Sequence, residues 1–151
     1  MKNFILSVCV IFTFFQSCST SDENNVASPF TVKYEIISSS KIISPGSSVI
    51  ISYTNGTGQL QTKSFSSSDN LISWNETINV TSAIRPLTLN LSITSSGAAN
   101  GGYLAIANSG TITQNIYIDD TLKSSNINNS TSTNNSWGYK IAPTPINHIV
   151  H

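Results

Sequence analysis

The stretch Leu87-Thr88-Leu89-Asn90-Leu91-Ser92-Ile93-Thr94 decides the fold class, because apolar and polar side chains alternate along it without a break. Successive side chains of a β-strand point to opposite faces, so this period of two predicts a strand with one buried face and one exposed face. Similar short runs recur between clusters of Gly, Asn, Asp, Ser and Pro. The sequence after Phe30 shows no sustained helical period, which predicts an all-β domain.

The spacing of these runs is typical of a single antiparallel β-sandwich of about seven to nine short strands. We place the strands at 30–37, 48–54, 59–65, 72–80, 87–94, 103–107, 111–118, 121–126 and 137–141. The side chains expected in the core are Phe30, Tyr34, Ile50, Tyr53, Trp74, Ile78, Leu89, Leu91, Ile116 and Ile118.

Turn residues mark several of the connections. Asn55-Gly56 predicts a hairpin, because both residues tolerate a positive φ. Asp119-Asp120 and Pro45-Gly46 predict two further turns. The polar, low-complexity run 126–136 predicts a mobile loop, and the prolines at 143 and 145 favour an edge strand or a terminal arm.

The first seventeen residues have the features of a secretory leader. A basic start, Met1-Lys2-Asn3, precedes an apolar run at 4–15, which is shorter than the ~20 residues of a spanning helix. The segment Phe15-Gln16-Ser17-Cys18 resembles a bacterial lipobox, and this resemblance implies that Cys18 becomes the lipidated first residue of the mature chain. The alternative is an ordinary signal peptide cleaved near Ser17, with Cys18 unmodified.

We therefore divide the chain into a lipoprotein signal peptide at 1–17, a lipidated cysteine with a flexible tether at 18–29, and a β-sandwich domain at 30–151. Cys9 would leave with the leader, so the mature chain would have a single cysteine and no internal disulfide. The polar, acidic run at 19–25 indicates a tether and resembles the export signal of Bacteroidota surface lipoproteins. The expected location is the outer membrane of the cell envelope, on its periplasmic face or at the cell surface.

Charge and composition exclude several functions. The net charge is zero, the pI is about 6.7, and charged residues make up 9% of the chain, so a nucleic-acid partner is not expected. The only histidines, His148 and His151, lie at the C-terminus, where chains commonly fray. The carboxylates Glu35, Asp69 and Glu76 are scattered singly, and no metal-binding or phosphate-binding spacing is present. We predict a non-enzymatic protein without metal or cofactor.

Three segments resemble the exported domain of the MmpS family, whose members carry a Tyr-Thr hairpin, a Trp-x-x-Thr strand start and an Ile-x-Val-Asp-Gly hairpin. The segments are Ile51-Ser52-Tyr53-Thr54-Asn55-Gly56 with Gln61-Thr62, Ser73-Trp74-Asn75-Glu76-Thr77-Ile78, and Gly110-Thr111-Ile112-Thr113-Gln114-Asn115-Ile116-Tyr117-Ile118-Asp119-Asp120. The resemblance covers residues 32–125 and implies a small immunoglobulin-like β-sandwich that assists lipid or siderophore exporters. The family's transmembrane anchor and paired cysteines are replaced here by a lipobox and by Gln114 at the first cysteine position.

Two candidate sites remain. Trp137, Tyr139 and Tyr103 could contact a ligand, because aromatic rings stack on sugars and bind apolar groups. Trp74 is interpreted as a core residue instead. Asp120-Thr121-Leu122 resembles the pattern at which Bacteroidota glycosylate exported proteins, which implies glycosylation of Thr121.

These features support two hypotheses of different classes. The first is a membrane-anchored interaction or accessory module that binds another envelope protein through its loops or an open sheet edge. The second is a surface lipoprotein that binds a glycan or a lipophilic ligand. The sequence leaves the partner, the leaflet that holds the anchor and the oligomeric state open.

Overall fold

The computed structural model describes residues 28–44, 48–66, 68–81, 85–96, 104–135 and 138–151. These residues form twelve β-strands and no helix. The strands are β1 (Phe30–Ser38), β2 (Ile42–Ile43), β3 (Val49–Thr54), β4 (Leu60–Phe65), β5 (Ser73–Val80), β6 (Leu87–Ser95), β7 (Leu104–Ile106), β8 (Thr111–Ile118), β9 (Thr121–Asn129), β10 (Thr131–Asn135), β11 (Gly138–Ile141) and β12 (Ile146–Val150).

The strands pair in three four-stranded antiparallel sheets. Sheet A has the order β5-β1-β8-β9, sheet B the order β10-β11-β7-β2, and sheet C the order β12-β6-β3-β4. Sheets A and C form the two layers of a sandwich, and the short strands of sheet B contribute to the same core. The predicted all-β sandwich is therefore confirmed, with more strands than expected and a third sheet.

One apolar cluster joins the three sheets. Its strands alternate between buried and exposed positions, as in β6, where Leu87, Leu89, Leu91 and Ile93 are buried. Of the ten predicted core residues, nine either belong to this buried cluster or are partly buried and pack against it. Ile50 is the exception: Val49 and Ile51 occupy the inward positions of β3, so the residue between them faces outward and is half-buried.

The predicted strands are all present, with ends shifted by a few residues, but the prediction for 126–136 was wrong. Strand β9 continues to Asn129, because its polar side chains suit a largely exposed strand whose backbone pairs with β8. Strand β10 covers Thr131–Asn135 and pairs with β11. Strands β2 and β12 were also not predicted. β12 is an edge strand, as the two prolines before it suggested, and it places His148 opposite Leu89 rather than in a frayed end.

The hairpin between β3 and β4 forms where Asn55-Gly56 predicted it, but for a different physical reason. The only positive φ in this turn belongs to Gly58, at 83°, and Asn55 acts through its side chain. Its Oδ1 accepts hydrogen bonds from the Thr57 amide, the Thr57 hydroxyl and the Gln59 amide. The side chain of Asn55 thus reinforces the two backbone bonds of the turn, from the Asn55 amide to the Gln59 carbonyl and from the Gly58 amide to the Asn55 carbonyl.

The Asp119-Asp120 turn joins β8 to β9 as predicted. Both residues have a positive φ, 46° and 60°, which matches the type I′ turn favoured by the twist of a hairpin. Asp119 Oδ1 also accepts hydrogen bonds from the amide and hydroxyl of Thr31, at 2.8 and 3.1 Å. These bonds attach the turn to the beginning of β1. The Pro45-Gly46 turn lies outside the described residues.

A tyrosine hydroxyl links the two layers of the sandwich. Tyr34 of sheet A is fully buried and donates a 2.7 Å hydrogen bond to the backbone carbonyl of Thr54 in sheet C. The Tyr34 ring lies 5.5 Å from the Tyr53 ring, which in turn lies 5.4 Å from Trp74. Burial raises the pKa of Tyr34 above its usual range, so the hydroxyl remains a donor.

Tyr34→Phe should lower the free energy of unfolding by about 1–2 kcal/mol, because it leaves the buried Thr54 carbonyl without this donor. Chemical denaturation of the isolated domain measures the change. Tyr139→Phe is the matched control, since Tyr139 is only half-buried, and a change within about 0.5 kcal/mol is expected. Equal effects of the two substitutions would contradict a structural role for the Tyr34 hydroxyl.

Candidate functional site

The outer face of sheet A carries a connected group of five polar side chains. The pairing of β1 with β8 and of β8 with β9 places Glu35, Asn115 and Ser125 side by side across three strands. The same register places Lys33 beside Tyr117. We call Lys33, Glu35, Asn115, Tyr117 and Ser125 the Glu35 cluster.

The Glu35 carboxylate accepts hydrogen bonds from three different side chains. Lys33 Nζ lies 2.9 Å from Oε1, and Oε2 accepts from Asn115 Nδ2 at 3.1 Å and from the Tyr117 hydroxyl at 3.0 Å. Asn115 is 8% exposed, and its Oδ1 accepts a 2.7 Å bond from the Ser125 hydroxyl. Lys33 Nζ also lies 5.1 Å from the centre of the Tyr117 ring. Each member is therefore fixed by at least one other.

The electrostatics of the cluster favour the charged forms of Lys33 and Glu35. Partial burial alone would raise the pKa of Glu35, but the bonds from Lys33, Asn115 and Tyr117 outweigh it and hold that pKa below its usual value. The bond to Glu35 raises the pKa of Lys33, while burial and this carboxylate raise the pKa of Tyr117. Near neutral pH the face therefore presents an ion pair beside a protonated phenol.

Exposed apolar side chains lie around this polar centre. Ile37 is 45% exposed, Leu122 50% and Ile127 60%. Thr113 separates Ile37 from Ile127 across one row of the sheet, and Leu122 lies opposite Tyr117. A rigid surface with apolar groups and fixed hydrogen-bonding groups is suited to binding a partner, because little side-chain entropy remains to be lost on contact.

The structure describes only one of the three aromatic residues predicted to contact a ligand. Tyr139 lies in β11 opposite Ile106, is half-buried, and packs against the core, so only part of its ring is accessible. Trp137 and Tyr103 lie outside the described residues, as does Cys18. Trp74, which was interpreted as a core residue, is 8% exposed and belongs to the core.

Thr121 lies at the first position of β9, directly after the Asp119-Asp120 turn, and is exposed. Its hydroxyl makes one weak contact, 3.5 Å from the Asp119 carbonyl. Its glycosylation stays a prediction.

Three further contacts involve titratable residues outside the Glu35 cluster. Glu76 pairs with Lys63 at 2.6 Å, and Asp69 accepts a 2.7 Å bond from the Ser66 amide. The carbonyl of His151 accepts a bond from Arg85. Within the described segments, histidine, cysteine and carboxylate side chains form no group of three that could hold a metal ion.

Sequence reasoning missed the Glu35 cluster and treated Glu35 as an isolated carboxylate. One signal was available, because Lys33 and Glu35 are two residues apart in a strand and must share a face. The contributions of Asn115, Tyr117 and Ser125 depend on the register of β1 against β8 and β9, which the sequence does not specify.

Comparisons with known proteins give no further assignment: the chain matches no protein-family model, and no curated protein is significantly similar to it. Among the residues described here, no helix is long and apolar enough to cross a membrane.

Glu35→Gln should destabilise the domain near neutral pH and make little difference in acid. The lowered pKa of Glu35 means that its ionised form stabilises the fold above the usual value of 4.5, and that this contribution is lost as the pH falls through the folded-state pKa. Thermal unfolding of both proteins between neutral and strongly acidic pH tests this. A stability difference independent of pH would show that the carboxylate charge has no role.

Proposed function

We propose that this protein is a non-catalytic lipoprotein of the cell envelope, in which acyl chains on Cys18 hold a β-sandwich interaction module at the membrane. By its resemblance to MmpS proteins, the module acts as an accessory to an envelope transporter or a related membrane complex. The outer membrane is the proposed location.

The lipobox-like segment Phe15-Gln16-Ser17-Cys18 supports the anchor. Several acyl chains are enough for stable membrane attachment, whereas one chain binds reversibly. Cys18 precedes Phe30, the first residue of β1, by twelve positions. A flexible tether of this length has a mean reach of roughly 20 Å, so the domain would stay close to the membrane and retain rotational freedom.

The interaction role is supported by the side chains on the outer face of sheet A. This face combines the Glu35 cluster with three apolar side chains, Ile37, Leu122 and Ile127, whose exposed fractions are 45%, 50% and 60%. Interfaces typically combine apolar contacts with about one hydrogen bond per 100–200 Å², and both kinds of group are present on this face. A partner held on the same membrane meets the face at high local concentration, so modest affinity is sufficient.

The alternative function, binding of a glycan or a lipophilic ligand, depends on Trp137, Tyr139 and Tyr103. Tyr139 supports it only weakly, because part of its ring is covered by the core. Saturable binding on a glycan array that is lost in Trp137→Ala would favour this alternative.

Cys18→Ser should move the protein from the membrane fraction to the soluble fraction, because the serine hydroxyl cannot form the thioether to the lipid. Fractionation of native cells followed by immunoblotting measures the change. Cys9→Ser is the matched control, since it replaces the cysteine inside the leader and leaves the lipobox intact. Membrane retention of the Cys18→Ser protein would contradict lipid anchoring through this residue.

A photo-crosslinking amino acid at Ile127 should capture the partner in intact cells, whereas the same group at Ile149 should not. Ile127 is on the outer face of sheet A and Ile149 on the outer face of sheet C, and they are 60% and 48% exposed. Mass spectrometry of the adducts should identify a component of a transporter or an outer-membrane complex. Capture from Ile149 alone would assign the interaction to the opposite face.

A further inference from the structure

The turn between β3 and β4 contains a reactive arrangement that partner binding does not use. Asn55 is followed by Gly56, and a backbone nitrogen can attack the side-chain carbonyl carbon of the asparagine before it, giving a five-membered succinimide. Glycine is the most permissive residue at the attacking position, because it has no Cβ to obstruct the approach.

The carbonyl of the Asn55 side chain is held by three donors. Its Oδ1 accepts from the Thr57 amide at 3.0 Å, the Thr57 hydroxyl at 2.8 Å and the Gln59 amide at 2.9 Å. Negative charge develops on this oxygen when a nucleophile adds to Cγ. Donors already in place around such an oxygen stabilise the transition state, as in the oxyanion hole of acyl-transfer enzymes.

The nucleophile and the leaving group are both free of hydrogen bonds to the described residues. The Gly56 amide donates none, and Asn55 Nδ2 donates none. Asn55 is half-buried and Thr57 is exposed, so water reaches the turn. No hydrogen bond to the described residues has to break before Gly56 N attacks or before the amide nitrogen leaves.

The fold also explains why glycine stands beside Asn55. A Cβ at position 56 would lie 3.0 Å from the backbone oxygen of Asn79, which is tighter than an ordinary van der Waals contact, so a larger residue there would require a local shift of a few tenths of an ångström. The side chain of Asn55, by contrast, contributes only the acceptor Oδ1 to the turn, and an aspartate side chain could accept the same three bonds. The close packing around position 56 thus favours glycine there, whereas the turn uses no hydrogen bond from the side-chain amide nitrogen of Asn55.

We propose that Asn55 is a site of spontaneous deamidation that the folded turn accelerates. Gly56 N bonds to Asn55 Cγ and loses its proton, the bond from Cγ to Nδ2 breaks, and ammonia leaves. Water then opens the succinimide on either side of the ring nitrogen, giving aspartate or isoaspartate at position 55. Deamidation adds one negative charge to a chain whose formal net charge is zero.

The two products affect the hairpin differently. Aspartate keeps the backbone and the acceptor oxygen, so the bonds to Thr57 and Gln59 can persist. Isoaspartate adds a methylene to the main chain next to the bond from the Asn55 amide to the Gln59 carbonyl, which closes the hairpin at 2.8 Å. Accumulated isoaspartate would therefore disrupt the pairing of β3 with edge strand β4.

The test compares deamidation of the folded protein with that of the protein in concentrated urea, at one pH and temperature, by peptide mass spectrometry. The chain contains a second Asn-Gly pair, Asn100-Gly101, which lies outside the described residues and calibrates the unfolded rate. Asn55 should deamidate roughly tenfold faster in the folded protein than in urea. We expect a smaller acceleration than the ~10²-fold effect of an oxyanion-hole donor in an enzyme, because the turn is open to water. A folded rate equal to or below the rate in urea overturns the proposal.

Thr57→Val tests the mechanism, since it removes one donor to Oδ1 and keeps the size of an exposed side chain. With the fold verified by circular dichroism, its deamidation at Asn55 should slow severalfold toward the rate in urea. An unchanged rate in this variant also overturns the proposal. Asn55→Asp represents the normal product, and its stability should match that of the unmodified protein, while a large loss would contradict an acceptor-only role for Asn55.

Discussion

The contact between Tyr34 and Thr54 is the interaction on which the arrangement of the two large sheets depends. A phenol hydroxyl buried between two β-layers must find a partner, and here the partner is a backbone carbonyl of the opposite layer. The same Thr54 accepts a bond at Oγ1 from the Asn90 amide, beyond the last paired residues of β3 and β6. Thr54 therefore connects three strands while remaining almost completely buried.

The two open sides of the sandwich are closed in different ways. On the β9 and β12 side, Thr144 accepts bonds from Gln114 and Asn126 and donates one to Asn128. On the β4 and β5 side, the ion pair between Lys63 and Glu76 bridges the two edge strands. Charged side chains that point inward at a sheet edge also discourage pairing with another chain. This makes the outer face of sheet A a better candidate surface for a partner than the β4 edge.

Both cysteines of the chain precede the described residues, so the described part of the domain is held together without a disulfide. Its stability rests on the apolar cluster shared by the three sheets and on buried polar contacts such as that of Tyr34. The Glu35 cluster contributes less, because it lies on a solvent-facing surface where ion pairs are weak. Its fixed geometry is therefore part of the proposed interaction surface and not a main source of stability.

The sequence by itself determined the all-β class, most strand positions and the turn at Asp119-Asp120, because alternation and turn chemistry are local properties. The predictions of a leader and of a lipidated Cys18 rest on equally local patterns. Tertiary structure decided what depends on pairing between distant segments: the three-sheet order, the strand formed by the polar run at 131–135, and the outward direction of Ile50. It also assembled the Glu35 cluster, whose members come from three strands up to 92 positions apart, from Lys33 to Ser125. Alternation shows that a side chain faces outward, but only the register between strands determines which side chains it meets there.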